Sequence, residues 1–420
     1  MASPRSPAPV RLCLLLALAA AAPAASALPP VPAPAENPIT DDKRVLGKIL
    51  FWDEQLSSDD SIACGTCHRP AYGGADPRSG RHTGTDKGTI DDVHGSPGIV
   101  SRDRSGNPVS HAIFADRPQV TPRLSPSNFG ALWAPELGWD GRSGGRFVDP
   151  ATGAVLIETG GALENQALSA LINDAEMAHA DRLWEELTGK LRTSPPLALA
   201  TQWPADVQTA LAHRPSYSAL FAAAFGDPDI TAARIAFALA TYQRTLVADQ
   251  TAWDRYEAGD ADALSERALH GWRKLQSFHC TACHAPPLFT NNDFAHIGLR
   301  RAEFDRGREL VTGDPEDAGE MKVPSLRNVA LRPRYMHTGE LASLSAAIRF
   351  YVNAPALPER DAIPGAGLYT FNMSAIDESD IRLFLEQGLT DARVRDEKFP
   401  FDRPRLRSER AQATSEDSAR

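Results

Sequence analysis

The sequence predicts a mostly α-helical fold made of two tandem domains and long irregular loops, and three observations lead to this fold class. A Cys-x-x-Cys-His motif occurs twice, at Cys64–His68 and again at Cys280–His284. Apolar residues with helical spacing precede each copy. The 30 glycines and 33 prolines are typical of a chain with long loops, and no region is dominated by strand patterns.

Each motif predicts the covalent attachment of one c-type haem. Two thiols about one helical turn apart can each form a thioether to a vinyl group of the same porphyrin. The histidine that follows is then placed below the iron as its proximal ligand. A zinc site formed by two Cys-x-x-Cys pairs is the alternative, but zinc does not require a histidine after each pair. The residues predicted to hold the two haem groups are Cys64, Cys67, His68, Cys280, Cys283 and His284.

Residues 1–27 have the pattern of a secretory signal peptide. Arg5 and Arg11 form its charged region, residues 12–22 its apolar region, and Ala25–Ala27 a small-residue cleavage site. The apolar region is too short to span a membrane, and no later segment of the sequence approaches the necessary length. Because the attachment of haem through thioethers is completed after export, we expect a periplasmic protein.

The net charge of the chain bears on the partners that it could bind. The formal net charge is −10, and loss of the two arginines of the signal peptide would make it more negative. This charge argues against binding to nucleic acid and is compatible with a basic electron-donor protein as partner.

Of the five cysteines, only Cys13 lies outside the two motifs, and it would be removed with the signal peptide. No disulfide is therefore expected.

The first domain is predicted at residues 41–248, after a Pro-rich linker at 28–40. A helix signal follows the linker and leads into the first motif. Residues 69–130 have little periodicity and are expected to form irregular loops over a haem, since long loops usually serve a site. Short hairpins are expected near 140–160. Helical patterns follow at residues 163–172, 178–192, 205–224 and 230–247.

The second domain is predicted at residues 249–403. A helix from Ser265 to Leu275 leads into the second motif, so that helix, motif and loops recur in the same order. An amphipathic helix is expected from Asp377 to Glu386. Residues 404–420 are charged and polar and are predicted to be a disordered tail.

The two motifs and the segments around them resemble the bacterial di-haem cytochrome c peroxidase superfamily, including its MauG branch. The resemblance runs from about Lys48 to Gly388, which is nearly the whole predicted mature chain. It is carried by LGKILFWDEQLSSDDSIACGTCH, by Trp-Asp-Gly-Arg at 139–142, by LENQ…EM at 163–177, by YQRTLVADQTAWDRY at 242–256, by KVPSLRNVAL at 322–331 and by YMHTG at 335–339. It implies two cytochrome c-like domains whose haems face a shared interface.

The resemblance also implies roles for three residues. Cleavage of peroxide needs an open iron position and a group that moves a proton from one oxygen to the other. A carboxylate in a dry pocket suits this role because desolvation raises its pKa. By resemblance, Glu176 is this acid–base group over the first haem, Gln166 is its hydrogen-bonding partner, and Trp139 lies between the haems and carries electrons. From the residues alone, Glu176 would be a solvated carboxylate and Trp139 a core side chain.

Distal iron ligands are implied in the same way. Alignment with the MauG branch puts Tyr351, in LSAAIRFY, on the distal side of the second haem. Peroxidases that use small donor proteins usually have a methionine there, and Met336 is the alternative. A phenolate favours high oxidation states of iron, whereas a thioether favours the reduced state. For the first haem, His82 is the candidate for a displaceable distal ligand, with His94 and His111 as alternatives.

The sequence departs from the family at the calcium site. The family often binds a structural calcium ion between its domains through an asparagine, and Leu124 stands at that position here. The Thr-x-Pro that usually follows KVPSLRNVAL is replaced by Arg332-Pro333-Arg334. Backbone carbonyls could still bind the ion, but these replacements put calcium in doubt.

Together these observations predict a periplasmic enzyme that reduces hydrogen peroxide at the first haem, with electrons supplied through the second. The donor would be a small cytochrome c or cupredoxin or, as in the MauG branch, a protein substrate that is oxidised. The alternative is a non-catalytic di-haem electron carrier whose irons are both saturated by protein ligands. Gln166 and Glu176 argue against that alternative.

Overall fold

The computed structural model describes residues 27–83, 92–353 and 371–410. The predicted signal peptide, apart from Ala27, and residues 411–420 of the predicted tail lie outside these ranges. Within the described ranges, no helix is both long enough and apolar enough to span a membrane.

Helices make up most of the regular structure, as predicted. In chain order the α-helices are α1 Asp41–Phe51, α2 Cys64–Cys67, α3 Ala162–Leu171, α4 Trp184–Thr193, α5 Ala205–His213, α6 Tyr217–Phe225, α7 Ala232–Arg244, α8 Ala252–Glu257, α9 Glu266–Ser277, α10 Glu309–Thr312, α11 Leu344–Asn353, α12 Ala375–Leu383 and α13 Ala392–Arg395. Short 3-10 turns are found at Glu54–Leu56, Pro70–Tyr72, Ala131–Trp133, Cys280–Ala282, Pro315–Asp317 and Val329–Leu331. Helix α12 continues as a π-helical turn, Phe384–Gly388.

The strands in the described part of the chain are short and pair as separate two-stranded antiparallel ribbons. They are β1 Gly80–His82 with β2 Val93–Gly95, β3 Pro97–Val100 with β4 Pro118–Val120, β5 Phe147–Val148 with β6 Val155–Ile157, and β7 Phe294–Ala295 with β8 Met321–Lys322. In register, Arg81 lies opposite His94 and Phe294 lies opposite Lys322. The β5–β6 ribbon confirms the hairpin expected near 140–160. The first two ribbons lie in the region that was expected to be irregular.

The first apolar core is built on the packing of α1 against α7. Helix α1 begins after Thr40, whose side chain caps its first turn, and it buries Leu46 and Leu50 completely. The two helices cross very closely. A Cβ atom at Gly47 would lie 1.9 Å from the carbonyl oxygen of Ala238, so only glycine fits at this crossing.

The second apolar core is built in the same way from α9 and α12. Ser265 caps the first turn of α9, and the helix leads directly into the second motif, as the sequence predicts. A Cβ atom at Gly271 would lie 2.0 Å from the carbonyl oxygen of Asp380. Trp253 and Phe384 fill the space beside this crossing, with their ring centroids 5.7 Å apart.

The C-terminal segment contradicts both the predicted domain boundary and the predicted disorder. Val394, Phe401 and Leu406 are buried in the first core and not in the second. Arg405 and Thr201 exchange backbone hydrogen bonds of 2.9 and 2.7 Å. After α12 the chain therefore returns to the first core. The prediction of a second domain that extends to residue 403, and of a tail that is disordered from residue 404, is wrong for this segment.

The predicted linker also packs on the first core at its end. Asn37 is fully buried, and its Nδ2 donates a hydrogen bond of 2.8 Å to Glu164 Oε1. Glu164 in turn accepts two hydrogen bonds from Arg244, of 2.6 and 2.9 Å. The Nζ of Lys43 donates to Asn37 Oδ1 at 3.0 Å. This end of the linker is therefore part of a buried polar network and is not a solvated spacer.

Two of the predicted helices differ from the observed ones. The pattern at 205–224 forms two helices, α5 and α6, because Pro215 and the N-cap Ser216 interrupt it. Residues 178–183 lie outside α4, which begins only at Trp184. In that stretch the backbone N–H of Ala178 donates to the Asn173 carbonyl at 2.9 Å, so the chain forms a tight turn there.

Candidate active site

The first motif forms one helical turn that is followed by an oriented imidazole. Helix α2 places Cys64 and Cys67 on the same turn. The Nδ1 of His68 lies 3.0 Å from the carbonyl oxygen of Gly74. This contact favours a proton on Nδ1 and leaves Nε2 as the base that can bind iron. Burial raises the pKa of the Cys64 thiol to about 12.

The second motif repeats this arrangement on a 3-10 turn at Cys280–Ala282. The Nδ1 of His284 lies 3.2 Å from the carbonyl oxygen of Phe289, so Nε2 is again the nitrogen left for iron. Burial raises the pKa of the Cys280 thiol to about 11. The donor set of each motif therefore fits one haem c: two thiols on one turn, then an imidazole of fixed tautomer.

The zinc alternative finds no support in the described residues. The thiols of both motifs are free in them, and no group of three or more His, Cys, Asp or Glu side chains in those ranges is placed to hold a metal ion. A zinc site made from the two Cys-x-x-Cys pairs would need such a group.

A cavity of about 310 Å³ opens at the first motif. Its wall includes Cys67, His68, Trp139, Gln166 and Glu176, which are far apart in the sequence. Part of the wall also comes from the second half of the chain. The structure thus brings the predicted acid–base group, its predicted partner and the predicted bridging tryptophan to one place beside a proximal histidine.

Glu176 is held at this cavity by its backbone. Its N–H donates to the Asn173 carbonyl at 3.1 Å, and its own carbonyl accepts from the Ile99 N–H at 3.2 Å. Burial raises the pKa of its carboxyl above the ordinary value of 4.5, and the positive charge of Arg142 opposes this effect. A carboxyl with a raised pKa can accept a proton and return it close to neutral pH.

Gln166 reaches the cavity from α3. Leu163, Gln166 and Ser169 all line it, and their spacing of three residues places them along one face of the helix. The opposite side of α3 packs in the first core through Leu168 and Leu171. The amide of Gln166 is therefore carried by a rigid element.

Trp139 lies where the two halves meet. Its Nε1 donates to the carbonyl oxygen of Leu124 at 2.7 Å. Its own carbonyl accepts from the Lys322 N–H at 2.7 Å. Its ring meets the ring of His337 edge-on, with 6.1 Å between the centroids. The indole therefore contacts one residue from each half of the chain.

Tyr351 lies on α11 near the second motif. Burial, together with the thiols of Cys280 and Cys283, raises the pKa of its hydroxyl above the ordinary value of 10.0. Met336 packs against the second core, and so does Met373, which was not predicted. No pattern in the sequence points to Met373, because it lies in a segment without a motif.

The histidines suggested for the distal side of the first haem lie elsewhere among the described residues. His82, in β1, packs edge-on against Phe114 with 5.4 Å between the ring centroids, and His111 stacks on the same ring at 5.0 Å. The backbone N–H of His94 donates to the Thr338 carbonyl at 2.7 Å. None of the three histidines is among the described residues that line the cavity.

Three cationic side chains on the cavity wall were not predicted: Arg123, Arg142 and Lys322. The Nζ of Lys322 donates to the backbone and side-chain oxygens of Asn292, both at 3.0 Å. Burial lowers the pKa of Lys322 to about 8. Lys322 opens the KVPSLRNVAL segment, which is the signal that could have found it. Arg142 has a similar signal, since it ends the Trp-Asp-Gly-Arg segment at 139–142. Arg123 lies outside the segments that carry the resemblance.

The residues around the expected calcium site are bonded to protein groups. The carbonyl of Leu124 accepts from Trp139 Nε1, and the carbonyl of Ser125 accepts from Arg332 Nη2 at 3.0 Å. Burial lowers the pKa of Arg332 to about 10, so its guanidinium still carries its charge near neutral pH. A cationic side chain thus already joins the two halves at this place.

Comparison with known proteins supports the same interpretation. The family model for di-haem cytochrome c peroxidase matches residues 41–262. Methylamine utilization protein MauG of Methylophilus methylotrophus is 29% identical over 356 residues, which cover 84% of each chain. Cytochrome c551 peroxidase of Pseudomonas aeruginosa is 27% identical over 329 residues, which cover 76% of this chain and 73% of that protein.

Solved structures have the same fold. A MauG-like protein associated with microbial copper homeostasis superposes with a TM-score of 0.62 at 25% identity, over 92% of this chain and 98% of that protein. The diheme peroxidase BthA from Burkholderia thailandensis superposes with a TM-score of 0.55 at 20% identity, over 88% of this chain and 91% of that one. At this lower identity, the second likeness supports the fold alone.

Proposed function

Because the chain belongs to the di-haem cytochrome c peroxidase family, we propose that it reduces hydrogen peroxide to water in the cavity at the first motif. The observation that carries this proposal is the meeting of Cys67, His68, Trp139, Gln166 and Glu176 at that cavity. The reaction takes one hydrogen peroxide, two electrons and two protons to two water molecules.

Each motif would hold one haem c, through thioethers to its two cysteines and through the Nε2 of its histidine. When bound, the haem supplies a redox-active iron with a position open to peroxide at the first motif. The carbonyls of Gly74 and Phe289 hold the Nδ1 of His68 and His284. They fix the ring orientation and make each imidazole a stronger ligand.

Glu176 would move the proton. In its ionised form the carboxylate accepts a proton from one oxygen of peroxide and returns it to the other oxygen, which leaves as water. Burial raises the pKa of this carboxyl above its ordinary value, and a higher pKa makes the carboxylate a stronger base for the first transfer. Gln166 would hold the peroxide oxygens through its amide, since it lines the same cavity.

Electrons would reach this cavity through Trp139. Its contacts with Lys322 and His337 connect it to the second half. The indole N–H donates to a carbonyl oxygen, which is not a base. Trp139 can therefore give up one electron and regain one from the second haem while it keeps its proton.

The electron source would be a redox protein. A small cytochrome c or cupredoxin is one candidate. The other candidate is a protein substrate that is itself oxidised. The position of Tyr351 near the second motif favours this second candidate. We also propose that residues 1–27 export the protein to the periplasm, where the haem groups would be attached.

A single substitution tests the peroxidase proposal. Glu176→Gln removes the base and keeps the size of the side chain. We expect both haems to remain and the rate of reaction with hydrogen peroxide to fall by at least about 100-fold, as measured by stopped-flow absorption. The matched control is Glu158→Gln, because the Glu158 side chain is 73% exposed and should leave the rate unchanged. A normal rate for Glu176→Gln would remove Glu176 from the mechanism.

The electron-carrier alternative predicts a different result. A carrier with two saturated irons would show no high-spin signal in the resting state by electron paramagnetic resonance. It would also fail to react with peroxide both before and after partial reduction. The cavity beside His68, with Gln166 and Glu176 on its wall, supports the peroxidase instead.

A further inference from the structure

The two halves of the chain use the same loop twice. In the first half, Ser127 Oγ donates to the carbonyl of Gly73 at 2.7 Å. In the second half, Ser325 Oγ donates to the carbonyl of Leu288 at 2.6 Å. Each serine follows a proline and leads, three residues later, to a residue with positive φ and then to a 3-10 turn. These contacts recur close to each proximal histidine.

The same correspondence continues to the interface between the halves. An isolated bridge joins Leu137 to Ser143 in the first loop, and another joins Tyr335 to Leu341 in the second. The residue after Leu137 has a φ of 86°, and the residue after Tyr335 has a φ of 67°. The next residue in the two loops is Trp139 and His337, respectively. These two residues therefore occupy equivalent positions.

These equivalent side chains also contact each other. Their ring centroids are 6.1 Å apart, at an interplanar angle of 61°. Both residues are also bonded to the backbone of Leu124. The Leu124 carbonyl accepts from Trp139 Nε1, and the Leu124 N–H donates to the backbone carbonyl of His337, both at 2.7 Å. The backbone of His337 and the indole of Trp139 are therefore anchored to the same residue, and the imidazole meets the indole through the ring contact.

His337 also connects the indole to a buried ion network. It is 5% exposed, and its Nε2 makes no hydrogen bond within the described structure. That nitrogen lies 3.8 Å from Asp305 Oδ2. Asp305 accepts from Arg123 at 2.9 and 2.6 Å, and Arg123 also donates to Asp140 at 2.7 Å. Arg142 also donates to Asp140, at 2.7 Å, so two guanidiniums balance the two carboxylates of this network. Asp305 is the carboxylate of the network that faces the His337 ring.

We propose that His337 is a positioning residue for Trp139, which orients the indole and sets how easily it gives up an electron. The inference rests on the proposed route of electrons through Trp139. Loss of one electron leaves a positive charge on the indole. The imidazole dipole and the Asp305 carboxylate behind it stabilise that charge in a site of low dielectric. The electron moves towards the first haem, and the second haem replaces it, so Trp139 is unchanged overall.

The test measures electron transfer between the haems in the holoprotein. A ruthenium photoreductant is attached at Arg273→Cys, which lies on the exposed side of α9 beside the second motif. A flash reduces the second haem, and the absorption of the first haem then follows the transfer. We compare the unmodified sequence with His337→Phe, Trp139→Phe and Thr338→Val, each in this background. Thr338→Val is the matched control, because its buried Oγ1 has no hydrogen-bond partner within the described structure.

The expected result is a transfer rate at least about tenfold lower in His337→Phe, with the potentials and spectra of both haems unchanged, which corresponds to about 1.4 kcal/mol. Thr338→Val should transfer within about twofold of the unmodified protein, since it removes no contact with Trp139. If His337→Phe does not assemble with haem, His337→Asn is measured with the same expectation, because its shorter side chain loses the contact with both Trp139 and Asp305.

Two outcomes would overturn the inference, and they differ in what else they affect. A normal rate in the His337 variant, with slow transfer in Trp139→Phe, would reject the role of His337 and leave the electron route standing. A normal rate in Trp139→Phe would reject the route through Trp139 and the role of His337 with it.

Discussion

The surroundings of the two Cys-x-x-Cys-His motifs differ, although the motifs themselves have the same donors. At the first motif, a cavity presents a carboxyl of raised pKa and an amide beside the proximal histidine. At the second motif, the phenol of Tyr351 lies near the two cysteine thiols. The side chains of Met336 and Met373 pack against the same core. We therefore infer that the motif decides where a haem would be attached, and that the helices and turns packed around the motif decide what that haem could do.

The backbone around the two motifs is alike at the histidine and differs farther from it. In both halves a carbonyl five or six residues after the histidine holds its Nδ1. In the first half, the turn before α4 brings Glu176 back towards the motif. In the second half, α11 brings Tyr351 near the motif.

The largest effect should be seen with a small added ligand. Cyanide is expected to bind the ferric haem at the first motif at least about 100-fold more tightly than the one at the second, a difference of about 2.8 kcal/mol. The physical reason is that the first site has an open cavity, whereas the second should have a protein ligand. A cyanide titration followed by electron paramagnetic resonance separates the two haems.

The control for this titration is Tyr351→Ala, which should allow a second cyanide to bind. If both haems of the unmodified protein bound cyanide with equal affinity, the two sites would not differ in the way proposed here. A Tyr351→Ala variant that still binds one cyanide would point to another ligand at the second haem.

The next effect concerns the two helix crossings. Gly47→Ala and Gly271→Ala should each lower the free energy of unfolding by about 2 kcal/mol, because the added methyl group meets a backbone carbonyl that cannot move away. Urea unfolding, followed at the haem of each half, measures this loss. In Gly47→Ala, the signal of the first haem should change at a lower urea concentration than that of the second. In Gly271→Ala, the signal of the second haem should change first.

Gly189→Ala is the control for both variants. This glycine lies inside α4, and an added Cβ would meet no atom within 4 Å. Its replacement should stabilise the protein by about 0.5–1 kcal/mol, since alanine has the higher helix propensity. A similar gain at Gly47 would mean that the close crossing of α1 and α7 does not exist in solution.

Much of the site could be predicted because its chemistry depends on short motifs. The position of each haem follows from five consecutive residues, and the helices α1 and α9 that precede the motifs follow from apolar spacing. Glu176 and Gln166 were assigned through the resemblance and not from their own pattern. A glutamate that follows Asn173 and Asp174 looks solvated, and only the folded chain shows the burial that raises its pKa.

The remainder depends on contacts between distant segments. Val394, Phe401 and Leu406 are isolated apolar residues in a charged region, so nothing local shows that they return to the first core. The contact between His82 and Phe114 is another that no local pattern predicts, because the two residues are 32 positions apart in the sequence. The repeated loop that pairs Trp139 with His337 is also hard to see in the sequence, because its two copies share only a Pro-Ser pair, one further proline and one glycine at equivalent positions.

A smaller effect is expected on the redox behaviour of the second haem. Tyr351→Phe removes the only group of that side chain that could bind iron. We expect the potential of the second haem to rise, because a phenolate stabilises the oxidised metal. A rise of at least about 59 mV, equivalent to tenfold in the one-electron equilibrium constant, should be measurable by spectroelectrochemistry.

Two methionine variants complete this comparison. Met336→Leu and Met373→Leu keep the side-chain volume and remove the sulfur, so neither should shift the potential of the second haem by a comparable amount. If one of them does and Tyr351→Phe does not, a thioether is the distal ligand. The protein would then resemble peroxidases that draw electrons from small donor proteins.

The smallest effect should appear in the pH dependence of the first site. Glu176 must be ionised to accept a proton from peroxide, and its carboxyl pKa is raised by burial. The rate of reaction with peroxide should therefore rise with pH through that raised pKa. The positive charge of Arg142 holds the pKa down, so Arg142→Gln should move the rising limb to higher pH. The shift should be less than about one pH unit, because the Arg142 side chain is 54% exposed and solvent screens its charge.

Arg146→Gln is the control for this last variant. Arg146 is similarly exposed, at 59%, and it pairs with Glu158. Stopped-flow rates measured across the pH range should give the same profile for Arg146→Gln as for the unmodified protein. A shift of the limb to lower pH in Arg142→Gln would have the wrong sign for loss of a positive charge near an acid. The titrating group would then not be Glu176, and the contrast between the two haem sites would need another acid–base residue.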